Sequence, residues 1–144
     1  MDLIPLDERG RLFLSPDIDD WQALEAAGIS AIFDVDGGID VGVPTVPNQI
    51  IYLYFPFNDA EVPDCSRLHA VAHFGAALVN AGQRVLVHCG LGYNRSALVA
   101  GLILMHLGMT AAEAIDLLRQ RRPGALFNQA FASYLLSCPL PNAP

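Results

Sequence analysis

Cys89 and Arg95 stand six residues apart in the segment His88-Cys89-Gly90-Leu91-Gly92-Tyr93-Asn94-Arg95-Ser96. A thiol and a guanidinium at this spacing, arranged around a glycine, suit a phosphate ion. Arg95 keeps its proton, and its planar fork matches two phosphate oxygens, so it can hold both the ground state and the charge of a transferring phosphoryl group. The chain before the segment, Arg84 to His88, is a short β-branched apolar run that reads as a buried strand. The chain after it, Ser96 to Leu107, is apolar nearly all round, as expected of a helix inside a domain. The nine residues therefore form a strand-to-helix loop. Its backbone N–H groups can converge on one point, and the following helix adds unpaired donors and the positive end of its dipole. In that field thiolate is favoured over thiol, and the thiolate is the nucleophile. Ser96 can donate a hydrogen bond to the sulfur when it becomes the leaving group. The plainer alternative is a cysteine buried at a strand end, but glycine, arginine and serine all fall where the chemistry needs them.

This stretch resembles the His-Cys-x-x-Gly-x-x-Arg-Ser/Thr signature of the cysteine-dependent protein tyrosine phosphatases. From Leu12 to Leu135 the chain also resembles their small dual-specificity branch, with strand, helix, strand pair, acid loop, helix and signature loop in that order. Low-molecular-weight tyrosine phosphatases carry a similar loop near the N-terminus, and rhodanese-like domains lack the Gly92 pattern and an upstream acid. The resemblance implies a two-step displacement through a cysteinyl-phosphate on Cys89, with no metal and no other cofactor. It places Gly90, Leu91, Gly92, Tyr93, Asn94 and Arg95 around the bound phosphate. His88 resembles the family histidine that hydrogen-bonds the loop backbone and helps keep the cysteine ionised, which makes it a supporting residue.

The family also needs a general acid on a loop upstream of the cysteine. Asp59, Glu61 and Asp64 lie in that window, between a strand over 49–55 and a helix beginning near Cys65. Asp59 matches the family position best. Asp64 has a competing role as N-cap of the helix, with Ser66 as the alternative cap, and Glu61 reads as a solvated loop charge. Asp59 would first protonate the leaving oxygen and then take a proton from the attacking water.

The four histidines do not make a metal site by spacing: His69 and His73 are four apart, as metal pairs are, but no third ligand accompanies them, so they read as one half-exposed helix face. All eight basic residues are arginines and the net charge is −7, so no broad cationic face is expected for nucleic acid or anionic membrane. Arg119, Arg121 and Arg122 cluster at a helix end, where they complement its dipole or, alternatively, form a substrate patch. The loop holds no lysine of the kind seen in phosphoinositide-directed family members, which suits phosphotyrosine, phosphoserine or phosphothreonine peptides or simple aryl phosphates. Tyr93 could line the mouth. Asn94, directly before the arginine, resembles the loops of the RNA 5′-triphosphatase branch and keeps that activity as an alternative. A third reading is a non-catalytic phospho-binding module on the same fold.

A chain of 144 residues with 53% hydrophobic content suits one catalytic domain over 1–144. Acidic residues crowd the first twenty positions and apolar runs are short, so neither a signal peptide nor a membrane span is expected, and the protein reads as cytoplasmic. Three scattered cysteines make no disulfide framework, and Cys89 needs a reducing compartment. Cys65 and Cys138 read as small buried or half-buried residues, able at most to pair with Cys89 under oxidation.

Periodicity assigns an α/β fold: a mostly parallel sheet of four to five strands flanked by helices. Strands are expected at 12–14, 31–35, 49–55 and 84–88. Helices are expected from Ile18 to Gly28, from near Cys65 with the stripe Leu68, Val71, Gly75 and Leu78, and from Ser96. Thr110 and Glu113 form a capping box for a fourth helix with inner face Ala111, Ala114, Ile115 and Leu118. The turn Arg122-Pro123-Gly124-Ala125 precedes a last helix over 128–137. The segment 36–48, rich in glycine and proline, is the one long loop and a candidate for substrate choice.

Overall fold

The computed structural model describes residues 2–138; Met1 and residues 139–144 of the expected domain lie outside the described residues. In chain order the elements are β1 (Ile4–Pro5), β2 (Leu12–Ser15), α1 (Trp21–Ala26), β3 (Ala31–Asp34), β4 (Ile51–Tyr54), α2 (Cys65–Asn80), β5 (Val85–His88), α3 (Arg95–His106), α4 (Ala111–Arg121) and α5 (Gln129–Ser137). The sheet order is β1-β2-β5-β3-β4, parallel throughout except for the antiparallel pair β1 and β2. This is the expected mostly parallel sheet, with five strands. β1 was not anticipated: two residues carry no readable period, and they pair only through the turn that follows.

Alternation along the strands sets the layers. Leu12, Leu14, Ala31, Phe33, Val85 and Val87 face the larger core beneath α2, α3, α4 and α5. Phe13, Ile32 and Leu86 face the smaller one, covered by Leu24 of α1 and by Trp21. With both faces covered, β2, β3 and β5 are buried at every residue, as parallel strands are. β5 lies between β2 and β3, so its C-terminal end opens at the centre of the sheet, where open α/β sheets bind ligands. α3 leaves that point and is buried from Ser96 to Met105.

Caps fix the helix ends as the residue types require. Asp20 accepts from Gln22 and Ala23 N–H at the start of α1. Thr110 and Glu113 make the reciprocal capping box of α4. Ala111 is only half-buried, while Ala114, Ile115 and Leu118 face the core. Gly28, at φ +75°, follows α1 in a backbone region open mainly to glycine. Among the described residues no helix is long and apolar enough to cross a membrane.

Gly75 lets α2 and α3 approach: a β-carbon there would lie 2.5 Å from Ile103 Cδ1 and 3.2 Å from the Phe33 ring. Gly75→Ala gains about 1 kcal/mol of helix propensity but overpacks the contact by about 1–3 kcal/mol. The variant is expected to show a lower urea midpoint; a raised midpoint would contradict this packing.

Asp7 closes the turn between β1 and β2, accepting from Arg11 N at 2.7 Å, Arg11 Nε at 2.8 Å and Leu12 N at 3.3 Å. Partial burial works to raise its pKa, but these bonds outweigh it and hold the carboxyl below its usual value. A depressed folded-state pKa contributes stability above the unfolded value of about 3.9, which is lost as pH falls through the folded one. Asp7→Asn is therefore expected to be less stable than the parent at neutral pH and to converge with it in acid. A stability gap independent of pH counts against this linkage.

Candidate active site

The loop after β5 is bent by Gly92, which sits at φ +76°. A β-carbon there would meet the backbone of Ser15 and Pro16 at 3.2 Å, so glycine is required twice, for its dihedral and for its size. Its N–H donates to Cys89 Sγ at 3.2 Å. Ser96 Oγ lies 3.2 Å from the same sulfur, and both side chains are buried.

The loop carbonyls are held from outside. Asp17 N–H donates to Gly90 O at 3.3 Å, Leu126 N–H to Tyr93 O at 2.8 Å, and Arg122 Nη2 to Leu91 O at 2.7 Å. In a trans peptide the next N–H points the opposite way, so the N–H groups of Leu91, Gly92 and Asn94 turn from these outer partners towards the loop's interior. A cavity of about 50 Å³ opens there, lined by Asp59, Cys89, Leu91, Tyr93, Asn94, Arg95 and Phe127.

Arg95 is held at one nitrogen. Its Nη1 donates to Asp36 Oδ1 at 3.0 Å and to the Phe57 carbonyl at 3.4 Å. Among the described residues Nε and Nη2 have no protein partner, which leaves one edge of the fork for a bidentate anion. Phe57 is itself anchored by rings, its centroid 5.6 Å from Phe55 and 6.0 Å from Phe131, and this pins the segment that carries Asp59.

The carboxylate of Asp59 reaches the loop. Asn94 Nδ2 donates to its Oδ2 at 2.9 Å, and Asn128 Nδ2 to its Oδ1 at 2.8 Å. Asp64 is elsewhere engaged, accepting from Arg67 N–H and Ser66 Oγ at 3.0 Å each as N-cap of α2. The Arg67 bond, and then the Ser66 bond, hold its carboxyl below the usual range. Among the described residues Glu61 has no ion-pair or side-chain hydrogen-bond partner. The structure thus brings Cys89, Arg95, Asp59, Ser96, Leu91, Tyr93 and Asn94 together and leaves Asp64 at a helix start.

His88 departs from expectation. Among the described residues its ring makes no bond to the loop backbone: Nε2 lies 2.7 Å from Asp40 Oδ2 and 3.6 Å from Asp34 Oδ1, and Nδ1 is buried without a partner. The carboxylates, delivered by β3 and the following loop, engage Nε2. Tyr52 joins them, its hydroxyl donating to Asp34 Oδ2 at 2.5 Å and accepting from Asp40 N–H at 3.0 Å. Burial pushes the Asp34 carboxyl up, and burial followed by the Asp34 bond pushes the Tyr52 phenol up. The 36–48 loop therefore serves the site from below, through Asp36 and Asp40, and contributes nothing to the cavity wall.

Among the other side chains singled out in the sequence, His69 and Cys138 are half-buried as expected, and Cys65 is not. His69 bonds the Tyr134 hydroxyl at 2.7 Å, and the rings of His69 and His73 lie 6.2 and 5.6 Å from that of His106. Burial, then His73 and His69, lower the His106 pKa. Cys65 is exposed, because it opens α2 ahead of the apolar stripe; Cys138 is half-buried, 3.5 Å from His69 Nε2. The three clustered arginines diverge. Arg119 bonds the carbonyls of Ala125 and Leu126, Arg121 that of Pro5, and Arg122 lies 4.1 Å from the Tyr93 ring centre.

Asp36, Asp40, Phe127 and Asn128 were not found from the sequence. Each is far along the chain from its partner, and only the glycine- and proline-rich character of the 36–48 loop hinted at the first two.

Comparison with known proteins gives a consistent result. The family described as dual specificity phosphatase, catalytic domain, matches residues 12–138. The human dual specificity protein phosphatase 2 is 33% identical over 124 residues, covering 81% of this chain and 37% of that protein. Bovine dual specificity protein phosphatase 26 is 36% identical over 91 residues, covering 61% of this chain and 43% of its own. The chain thus spans well under half the length of these relatives. The crystal structure of human DUSP28 superposes with a TM-score of 0.78 at 29% identity, covering 92% of both chains. The chain belongs to the dual specificity phosphatase catalytic domain family.

Proposed function

We propose that the protein hydrolyses phosphate monoesters of proteins, phosphotyrosine first and phosphoserine or phosphothreonine second, through a cysteinyl-phosphate on Cys89. The observation that carries this reading is the convergence of Cys89, the free edge of Arg95 and the Asp59 carboxyl on one small cavity at the end of β5. Cys89 Sγ attacks phosphorus while the P–O bond to the leaving group breaks, and Asp59 gives its proton to that oxygen. Water then attacks the phosphocysteine, Asp59 takes its proton, and the S–P bond breaks with Ser96 donating to the departing sulfur. Arg95 and the loop N–H groups of Leu91, Gly92 and Asn94 bear the charge on the equatorial oxygens. Gly90 lies beside Arg95: a β-carbon there would be in ordinary contact with Nη2, at 3.4 Å. His88 supports the loop from beneath through its carboxylate pairing.

The mouth supports an aryl or peptide substrate. Leu91 and Phe127 are strongly exposed beside Tyr93, whose ring centre is 6.0 Å from that of Phe127, and apolar walls of this kind suit a tyrosyl ring. Asn94 bonds Asp59 and the backbone N–H of Asn128, which supports a role for it inside the loop. Residues 2–138 form a single sheet with its covering helices, which supports one catalytic domain. The need for a reduced Cys89 supports a cytoplasmic location.

Turnover of a phosphotyrosine peptide, a phosphoserine peptide, a phosphoinositide and 5′-triphosphorylated RNA tests the assignment, with Cys89→Ser as the blank. The phosphotyrosine peptide should be fastest and the blank inactive; faster release from RNA, or binding without turnover, overturns the reading. Asp59→Ala is expected to lower kcat/KM by about 10²-fold or more on phenyl phosphate. Asp64→Ala should lower the thermal midpoint and leave that activity near the parent's. The reverse pattern transfers the acid role to Asp64.

A further inference from the structure

Asp59 is exposed on a short loop between β4 and α2, yet both carboxylate oxygens are fixed. The two donors come from different parts of the chain: Asn94 precedes α3 in the signature loop, and Asn128 caps α5. Neither amide is free to turn. Asn94 Oδ1 accepts the backbone N–H of Asn128 at 2.9 Å. Asn128 Oδ1 accepts the N–H of Phe131 at 3.3 Å, and its Nδ2 also donates to Ala60 O at 3.1 Å. Flipping Asn128 would set its oxygen against Asp59 Oδ1 and Ala60 O and leave the Phe131 donor facing an NH2 group. Flipping Asn94 would do the same to Asp59 Oδ2 and the Asn128 N–H. Each of the two amides is thus engaged at both its oxygen and its nitrogen.

The segment that carries Asn128 is tied to the signature loop in its own right. Leu126, in the left-handed region at φ +61°, donates its N–H to Tyr93 O, and Arg119 holds the carbonyls of Ala125 and Leu126. The donors that hold Asp59 are therefore referenced to the same loop that holds the phosphate.

We infer that Asn94 and Asn128 are positioning residues that aim Asp59 at the leaving oxygen. This rests on the reading of Asp59 as the general acid. A loop that must close over each substrate spends binding energy on ordering; here the acid is pre-aligned by two locked amides, which is the geometric condition for efficient proton transfer. The clamp matters most where the leaving group is a poor one, and little where it departs without help.

The test compares kcat/KM on p-nitrophenyl phosphate, whose phenolate leaves readily, with that on phenyl phosphate, whose phenolate needs its proton. Asn128→Ser and Asn128→Asp both keep a good N-cap for α5 while removing the amide donor to Asp59. In both, the ratio of the two constants is expected to rise by about tenfold or more, against about 10²-fold in Asp59→Asn. A ratio unchanged in both Asn128 variants, while Asp59→Asn raises it, overturns the clamp and leaves the acid in place. A ratio unchanged in Asp59→Asn overturns the acid assignment and the clamp with it. Damage confined to α5 would lower both substrates alike, leave the ratio at the parent value and count against the proposal; thermal melts of each variant show whether such damage is present.

Discussion

The close approach of Gly92 to the Ser15–Pro16 backbone is the constraint on which the site depends. At 3.2 Å from a would-be β-carbon to that backbone, the loop folds as it does only because residue 92 has no side chain and accepts a positive φ. That bend returns the Gly92 N–H to the Cys89 sulfur and turns the carbonyls of Gly90, Leu91 and Tyr93 outward, where Asp17, Arg122 and Leu126 take them. Once the carbonyls are committed outside, the N–H groups between them have no direction left but the cavity. The anion site is thus a consequence of peptide geometry, with the side chains adding charge.

Asp34, Asp36 and Asp40 all stand behind the loop, paired in turn with Tyr52, Arg95 and His88. Asp36 occupies one nitrogen of Arg95 and so orients the remaining edge. Burial keeps the Asp34 carboxyl above its usual range and, with the nearby Asp36, raises Asp17 as well. Asp36 and Asp40 each have a nitrogen partner, Arg95 Nη1 at 3.0 Å and His88 Nε2 at 2.7 Å.

How much was legible in the sequence follows from how local each interaction is. The signature loop, β5, α3 and the Thr110–Glu113 box were readable because every residue that defines them is contiguous and periodic. The distinction between Asp59 and Asp64 was partly readable, since an Asp three residues before a helical N–H is a recognisable cap. β1 escaped because a two-residue strand exists only through its partner. Asp36 with Arg95, His88 with Asp40, and Asn128 with Asp59 escaped for the same reason on a larger scale: the pairs lie 59, 48 and 69 positions apart. The turning of His88 towards carboxylates could not be foreseen without knowing that β3 lies beside β5.

The proposed function stands on a covalent phosphocysteine at Cys89. Acid quenching during turnover of p-nitrophenyl phosphate, followed by peptide mass analysis, tests it most directly. One phosphoryl group is expected on the peptide that contains Cys89 and on no other. Steady turnover with that peptide never modified, or a phosphoryl group on another residue, would contradict it.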